Sequence, residues 1–123
     1  MSNILNISAD QGSTLVYTFT LKDQTNAALN LTGYDARMQL RKTYGATAVD
    51  LNCTLANGKL AITNAASGVL VLSLSPSDTS SIRFASVNDD ELSCVYDLEI
   101  VSGSGAVYKA ARGTFTLSRE VTR

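Results

Sequence analysis

Apolar and polar positions alternate along this chain with a period of two. In "YDARMQLRK", residues 34–42, Ala36, Met38 and Leu40 fall on one side, while Asp35, Arg37, Gln39 and Arg41 fall on the other. "TLVYTFTL" places Leu15, Tyr17, Phe19 and Leu21 on one face. "VLVLSL" places Leu70, Leu72 and Leu74 together, with Val69 and Val71 opposite, and "VYDLEI" turns Tyr96, Leu98 and Ile100 inward and Asp97 and Glu99 outward. Such alternation marks half-buried β-strands. The pattern predicts strands at about 3–8, 14–22, 34–42, 49–55, 59–63, 68–74, 93–101 and 106–118. Turn segments such as "DQGS", "TYGATA", "NAASG" and "VNDDE" separate them. Short, regularly spaced strands of this kind predict an all-β sandwich or barrel.

Two turns and one helix are specified further. "ANGK" puts Asn57-Gly58 where a type I′ hairpin requires positive φ at both central positions. "SGSG" folds strand 93–101 back on 106–118, with Gly103 and Gly105 supplying unusual dihedrals. In "LSPSDTSSIRF", Ser75 can cap a helix, Pro76 suits its first position and Asp78 complements its N-terminal dipole. A helical turn is expected from about 76 to 82, crossing from one sheet to the other and pressing Ile82 onto the core.

Length and composition then narrow the class. The 123 residues predict one domain with a self-standing core. Apolar residues at 45% and charged residues at 17% belong to a globular chain. Ten basic residues against eleven acidic ones, with no basic run, argue against a nucleic-acid partner. No apolar stretch approaches the roughly 20 residues of a spanning helix, so no membrane partner is expected. "MSNILNISADQGS" lacks the basic and apolar regions of a secretory signal, which predicts synthesis and retention in a cytosol. Three N-x-[ST] matches, at Asn6, Asn30 and Asn52, carry no weight in that setting. Cys53 and Cys94 could bridge two sheets. A cytosolic chain favours reduced thiols packed as small apolar groups.

The absences shape the chemistry. The chain has no histidine, so Ser-His-Asp and Cys-His machinery and an imidazole base are all excluded. It has no phosphate loop and no nucleophile elbow, and its cysteine spacing fits no zinc site. "NDDE" at 88–91 lacks the spacing of a calcium loop and reads as a solvated turn. Asp35 with Asp97 or Glu99 would make a glycosidase-like pair, but on a flat wet face and with no tryptophan to hold a sugar. The expectation is a non-enzymatic protein without cofactor or metal. Its candidate contact residues are Arg37 and Arg41 on the outer face of strand 34–42, Ile4, Leu5 and Ile7 in the first strand, and Arg119, Glu120 and Arg123 beyond the last. The plainer alternative is a wet, charge-laced sheet face with ordinary edge strand and frayed tail.

The order of motifs carries a resemblance. "QGST" at 11–14 precedes an apolar strand, followed by "LKD" at 21–23 and "LNLTGYDARMQLRK" at 29–42. Then come "NGKLAI", "SGVLVLSLSPSDTSSI", "YDLEI" at 96–100 and a closing "GTFTLSREVTR" from 113. This layout resembles small virion structural proteins of tailed phages and the N-terminal domains of phage upper baseplate proteins. The resemblance implies an immunoglobulin-like antiparallel β-sandwich of about 7–8 strands, working in the virion as a symmetric homo-oligomer after assembly in the host cytoplasm. It implies a tail, baseplate or fibre-attachment adaptor whose partners are other virion proteins. The chain departs from the family by stopping after "EVTR", with no fibre region, which brings in a stand-alone adaptor or a capsid decoration protein. A carbohydrate-binding host-attachment module is a third reading, and it requires an exposed aromatic platform.

Overall fold

A computed structural model describes residues 3–84 and 88–121, Asn3 by its backbone alone. The strands are β1 (Asn3–Ile4), β2 (Ile7–Asp10), β3 (Leu15–Thr20), β4 (Asp35–Arg41), β5 (Leu51–Thr54), β6 (Leu60–Asn64), β7 (Val69–Leu74), β8 (Glu91–Val101) and β9 (Val107–Ser118). A helix, α1 (Pro76–Ser81), lies between β7 and β8, and a 3-10 turn at Ala65–Ser67 precedes β7. The larger sheet runs β1-β9-β8-β4-β5, with β2 also on β9, and the smaller runs β3-β7-β6. Neighbours are antiparallel except that β1 and β2 run parallel to β9.

The predicted alternation decides which side chains meet between the sheets. Ala36, Met38 and Leu40 of β4 and Tyr96, Leu98 and Ile100 of β8 are buried, as are Phe19 of β3 and Leu70, Leu72 and Leu74 of β7. Phe19 spans the sandwich, edge-on to Tyr17 at 4.9 Å and tilted against Tyr96 at 6.5 Å between ring centroids. Apolar area withdrawn from water in these two inner layers is the main stabilising term.

The helix forms for the expected local reasons. The Ser75 hydroxyl accepts from the Asp78 N–H at 3.1 Å, and the Asp78 carboxylate accepts from the Ser75 N–H at 2.9 Å, closing a capping box. Burial alone would raise the Asp78 pKa. The Ser75 backbone bond and the Lys59 ammonium outweigh it and hold the carboxyl below its ordinary value. Ile82 is buried as expected. The Thr79 hydroxyl is also buried; it accepts from the Gly12 N–H at 2.9 Å and donates to the Ser13 carbonyl at 3.0 Å, which fastens the β2–β3 turn to the helix.

Three local expectations are corrected. Asn57-Gly58 does not form a type I′ hairpin: β5 pairs with β4 in the larger sheet and β6 with β7 in the smaller, so this turn crosses between sheets. Only Gly58 has positive φ, at 81°. Asn57 instead turns its amide back onto β5, donating to the Asn52 carbonyl at 2.9 Å and accepting from the Thr54 N–H at 3.0 Å. In the β8–β9 hairpin Gly105 has φ of 92°, whereas Gly103 has no positive φ. The first strand is broken at Leu5-Asn6 and continues to Asp10. Residues 85–87, within the predicted "VNDDE" break and just before it, lie outside the described residues.

That break is a fitted seam. The Leu5 N–H donates to the Arg112 carbonyl at 2.8 Å, and the Leu5 carbonyl accepts the Tyr96 hydroxyl at 2.6 Å. Asn6 Oδ1 accepts from the Thr114 N–H at 3.2 Å. Between these contacts lies Gly113, where even a methyl group would overlap the Leu5 carbonyl oxygen. Gly113→Ala is therefore expected to push the first strand off β9. The expected loss is about 1–3 kcal/mol, from overpacking and broken hydrogen bonds, read by urea unfolding, with faster amide exchange at Leu5 and Ile7.

Cys53 and Cys94 are free and buried, and both lie in strands of the larger sheet, so they do not bridge the two sheets. Burial pushes the Cys53 thiol up to about 12 and raises that of Cys94. Burial likewise raises the Tyr96 phenol. The unfolded chain therefore releases these protons at lower pH than the folded one, and stability falls as pH rises past the ordinary thiol value. Urea midpoints should hold level up to about pH 8.5 and decline above it. Cys53→Ala should flatten the part of that decline running from 9.0 toward about 12.

Candidate functional site

The outer face of the larger sheet collects most of the polar side chains singled out above. Cross-strand register builds it in rows. Lys109, Glu99, Arg37 and Thr54 form one row across β9, β8, β4 and β5. Ile4, Arg112, Asp97, Gln39 and Asn52 form the next, and Thr114, Val95 and Arg41 a third. Residues on these strands alternate, so Arg37, Asp97 and Glu99 each have an inward core residue on either side.

Two ion pairs cross the face. Arg37 Nε meets Glu99 Oε1 at 2.8 Å and Lys109 Nζ meets Asp97 Oδ2 at 3.4 Å. Arg41 does not reach Asp97 or Glu99. Its guanidinium turns to the β4–β5 loop, donating to the Ala46 carbonyl at 2.7 Å, the Thr47 carbonyl at 3.1 Å and Gln39 Oε1 at 2.9 Å. Lys42 closes the same loop through Asp50 at 2.7 Å. Gln39, Arg41, Asp97, Glu99 and Tyr44, which is 65% exposed, line a shallow depression of about 340 Å³. Tyr44 was not singled out from the sequence. It stands in "TYGATA", legible only as a turn, and exposure of an aromatic in a turn has no local signature.

The remaining candidates separate. Ile4 is 67% exposed on the outer face, whereas Leu5 is half-buried and packs on the core. Ile7 is 2% exposed within the core, so its side chain offers nothing to a neighbour. One side of the first strand pairs with the chain's own β9, and its other side is an edge of the larger sheet. Arg119 is engaged within the fold: its guanidinium lies 4.2 Å over the Phe84 ring and its Nε donates to the Asp89 carbonyl at 2.7 Å. The Glu120 N–H donates to Gln11 Oε1 at 3.2 Å, and its carboxylate packs against Gly12. Arg123 lies outside the described residues.

Asp97 and Glu99 each face a cation across the strand, and Asp35 stands two positions along, opposite Val101. Among the described residues no group of three or more His, Cys, Asp or Glu is placed to hold a metal ion, and no helix is long and apolar enough to cross a membrane. The two thiols whose protonation burial perturbs are buried inside the sandwich.

The architecture defines a class. One sheet ordered β9-β8-β4-β5 faces another ordered β3-β7-β6, with the first strand parallel on β9. In the lettering of immunoglobulin domains this is G-F-C-C′ against B-E-D, and the chain is an immunoglobulin-like β-sandwich. It lacks the tryptophan and the B–F disulfide of antibody domains; Met38 lies at mid-strand C, and B carries Tyr17 and Phe19. No family model matches the chain, and no curated protein matches it. Among solved structures it is similar to murine CRIg, with a TM-score of 0.42 and 9% identity over 94% of this chain and 92% of that one. It is also similar to extracellular domains 3–5 of Drosophila OTK, with a TM-score of 0.35 and 13% identity over 91% of this chain and 32% of that one.

The two arginines should behave differently. Arg37→Glu removes an exposed ion pair and should change stability by less than about 1 kcal/mol. Arg41→Glu removes two guanidinium bonds to the loop and one to Gln39, and should cost about 1.5–3 kcal/mol. Urea unfolding of the two single variants, with amide exchange at Ala46 and Thr47, checks the contrast.

Proposed function

We propose that this chain is a non-enzymatic structural module of a tailed-phage virion, an adaptor in the tail, baseplate or fibre attachment that works through protein–protein contacts. The observation that carries this reading is the outer face of the larger sheet, a broad charged surface with two cross-strand ion pairs, backed by the core. Such a surface recognises a partner by shape and charge register without rearranging, which suits a permanent building block. The motif order from "QGST" to "GTFTLSREVTR" supplies the phage context. The two thiols are packed among core side chains, where a reactive nucleophile would not be accessible, which supports contact rather than turnover.

A second reading has one specific observation behind it. The exposed Tyr44 ring beside Gln39, Arg41, Asp97 and Glu99 has the mixture of stacking surface and hydrogen-bonding groups that a sugar ring needs. Host attachment through a glycan would use that depression.

Mixing the purified protein separately with tails and capsids of its phage, followed by sedimentation and electron microscopy, tests both readings. Protein on tails is the expected outcome, abolished by Arg37→Glu if this face is the contact. Protein on heads would replace the adaptor with a decoration role. Binding to neither, together with glycan binding lost in Tyr44→Ala, would favour attachment.

A further inference from the structure

The geometry points to the free edge of β3 as a pairing surface for the same edge of a second copy of this chain. The inference rests on backbone geometry and stands independently of the phage reading.

The first strand pairs with β9, so among the described residues no strand pairs with the outer side of β3, the last strand of the smaller sheet. The β3–β7 register runs unbroken from Leu15↔Leu74 to Thr20↔Val69, and Leu21 continues it by donating to the Gly68 carbonyl at 2.9 Å. In an antiparallel ladder hydrogen-bonded and non-hydrogen-bonded pairs alternate. Leu15, Tyr17 and Phe19 therefore direct their backbone groups at β7, and Leu21 directs its N–H to Gly68 and its carbonyl to the Leu29 N–H on the same side. Val16, Thr18 and Thr20 direct theirs away from it, and among the described residues those groups meet no partner.

Every other sheet edge is blunted. The Asn57 amide caps β5 at Asn52 and Thr54. A bulge between Ile62 and Asn64 breaks β6. The first strand is interrupted at Leu5-Asn6. Natural sheets protect edges by such means, and β3 has no charge, proline, glycine or bulge along its length. Beyond Thr20 the chain turns back on the β7 side, where the Leu29 N–H donates to the Leu21 carbonyl at 3.0 Å and Lys22 bridges to Ala28. The open window is Val16–Thr20.

That window is self-complementary. With a two-fold axis at Thr18, Thr18 faces its own copy, Val16 faces Thr20, and about six N–H···O bonds form from the three outward-directed residues. Tyr17 then lies opposite the partner's Phe19 on the inner face, an aromatic cross-strand pair. Val16, 62% exposed in the monomer, becomes covered on the outer face. No charge meets a like charge in this register. The product doubles the three-stranded sheet into one continuous sheet through two sandwiches.

Sedimentation velocity from about 10 µM to about 1 mM should show a concentration-dependent dimer. Thr18→Lys, which sets like charges face to face at the axis, should weaken it at least about tenfold. In Thr18→Cys the two thiols approach within disulfide reach, since opposed residues of a hydrogen-bonded pair have Cα atoms about 5.5 Å apart. Mild oxidation should then trap a covalent dimer, while Ser73→Cys, exposed on the neighbouring β7, should not. Circular dichroism establishes that each variant is folded. A wild type that stays monomeric throughout overturns the inference. So does a dimer that Thr18→Lys leaves intact, or one that Thr18→Cys traps no better than Ser73→Cys.

Discussion

The close approach of Leu5 to β9 is the constraint on which the architecture turns. A glycine at position 113 lets the first strand reach β9, and the Tyr96 hydroxyl, from the next strand over, holds the Leu5 carbonyl from below. With the chain's beginning committed there, β9 has neighbours on both sides and the larger sheet closes its otherwise open flank. The smaller sheet is left with three strands. One contact thus decides both which sheet is broad and which edge is bare, although the strands concerned are far apart in the chain.

The two outer faces differ in kind as a result. The broad sheet shows water a lattice of carboxylates, amides and cations, each ion pair modest in strength because both partners remain partly solvated. Val16, Thr18 and Thr20 opposite Ser73, Val71 and Val69 give the narrow sheet an uncharged surface. A module with one charged face and one neutral edge can engage two different neighbours without the two contacts competing, which agrees with the structural role proposed for it.

The period of two was legible because it depends only on adjacent residues: which side chains of β4, β7 and β8 enter the core follows from their sequence. The cap of α1 was legible for the same reason, since Ser75, Pro76 and Asp78 act within one turn. Partnership between strands was not. Asn57-Gly58 has the local chemistry of a hairpin, but burial of Leu51 and Cys53 in one sheet and of Leu60 in the other overrides it and leads the chain across the sandwich. Ile4 and Ile7, three positions apart, fall on opposite faces by the period of two alone, and only the pairing with β9 decides that Ile7 is the one turned into the core. Arg41 finds carbonyls in a loop whose path no pattern announces.

The parallel pairing of β2 with β9 also bears on mechanics. Ile7–Asp10 runs alongside Phe115–Ser118 in the same direction, so residue 3 and residue 118 lie toward opposite ends of the sheet. Tension applied through those two points pulls the strands lengthwise past each other. The hydrogen bonds between them are then loaded together, in shear, instead of being peeled apart one after another. Forced rupture is governed by the barrier to unfolding rather than by equilibrium stability. The seam at Gly113 would therefore set the mechanical strength of the module even where it adds little to its thermodynamic stability.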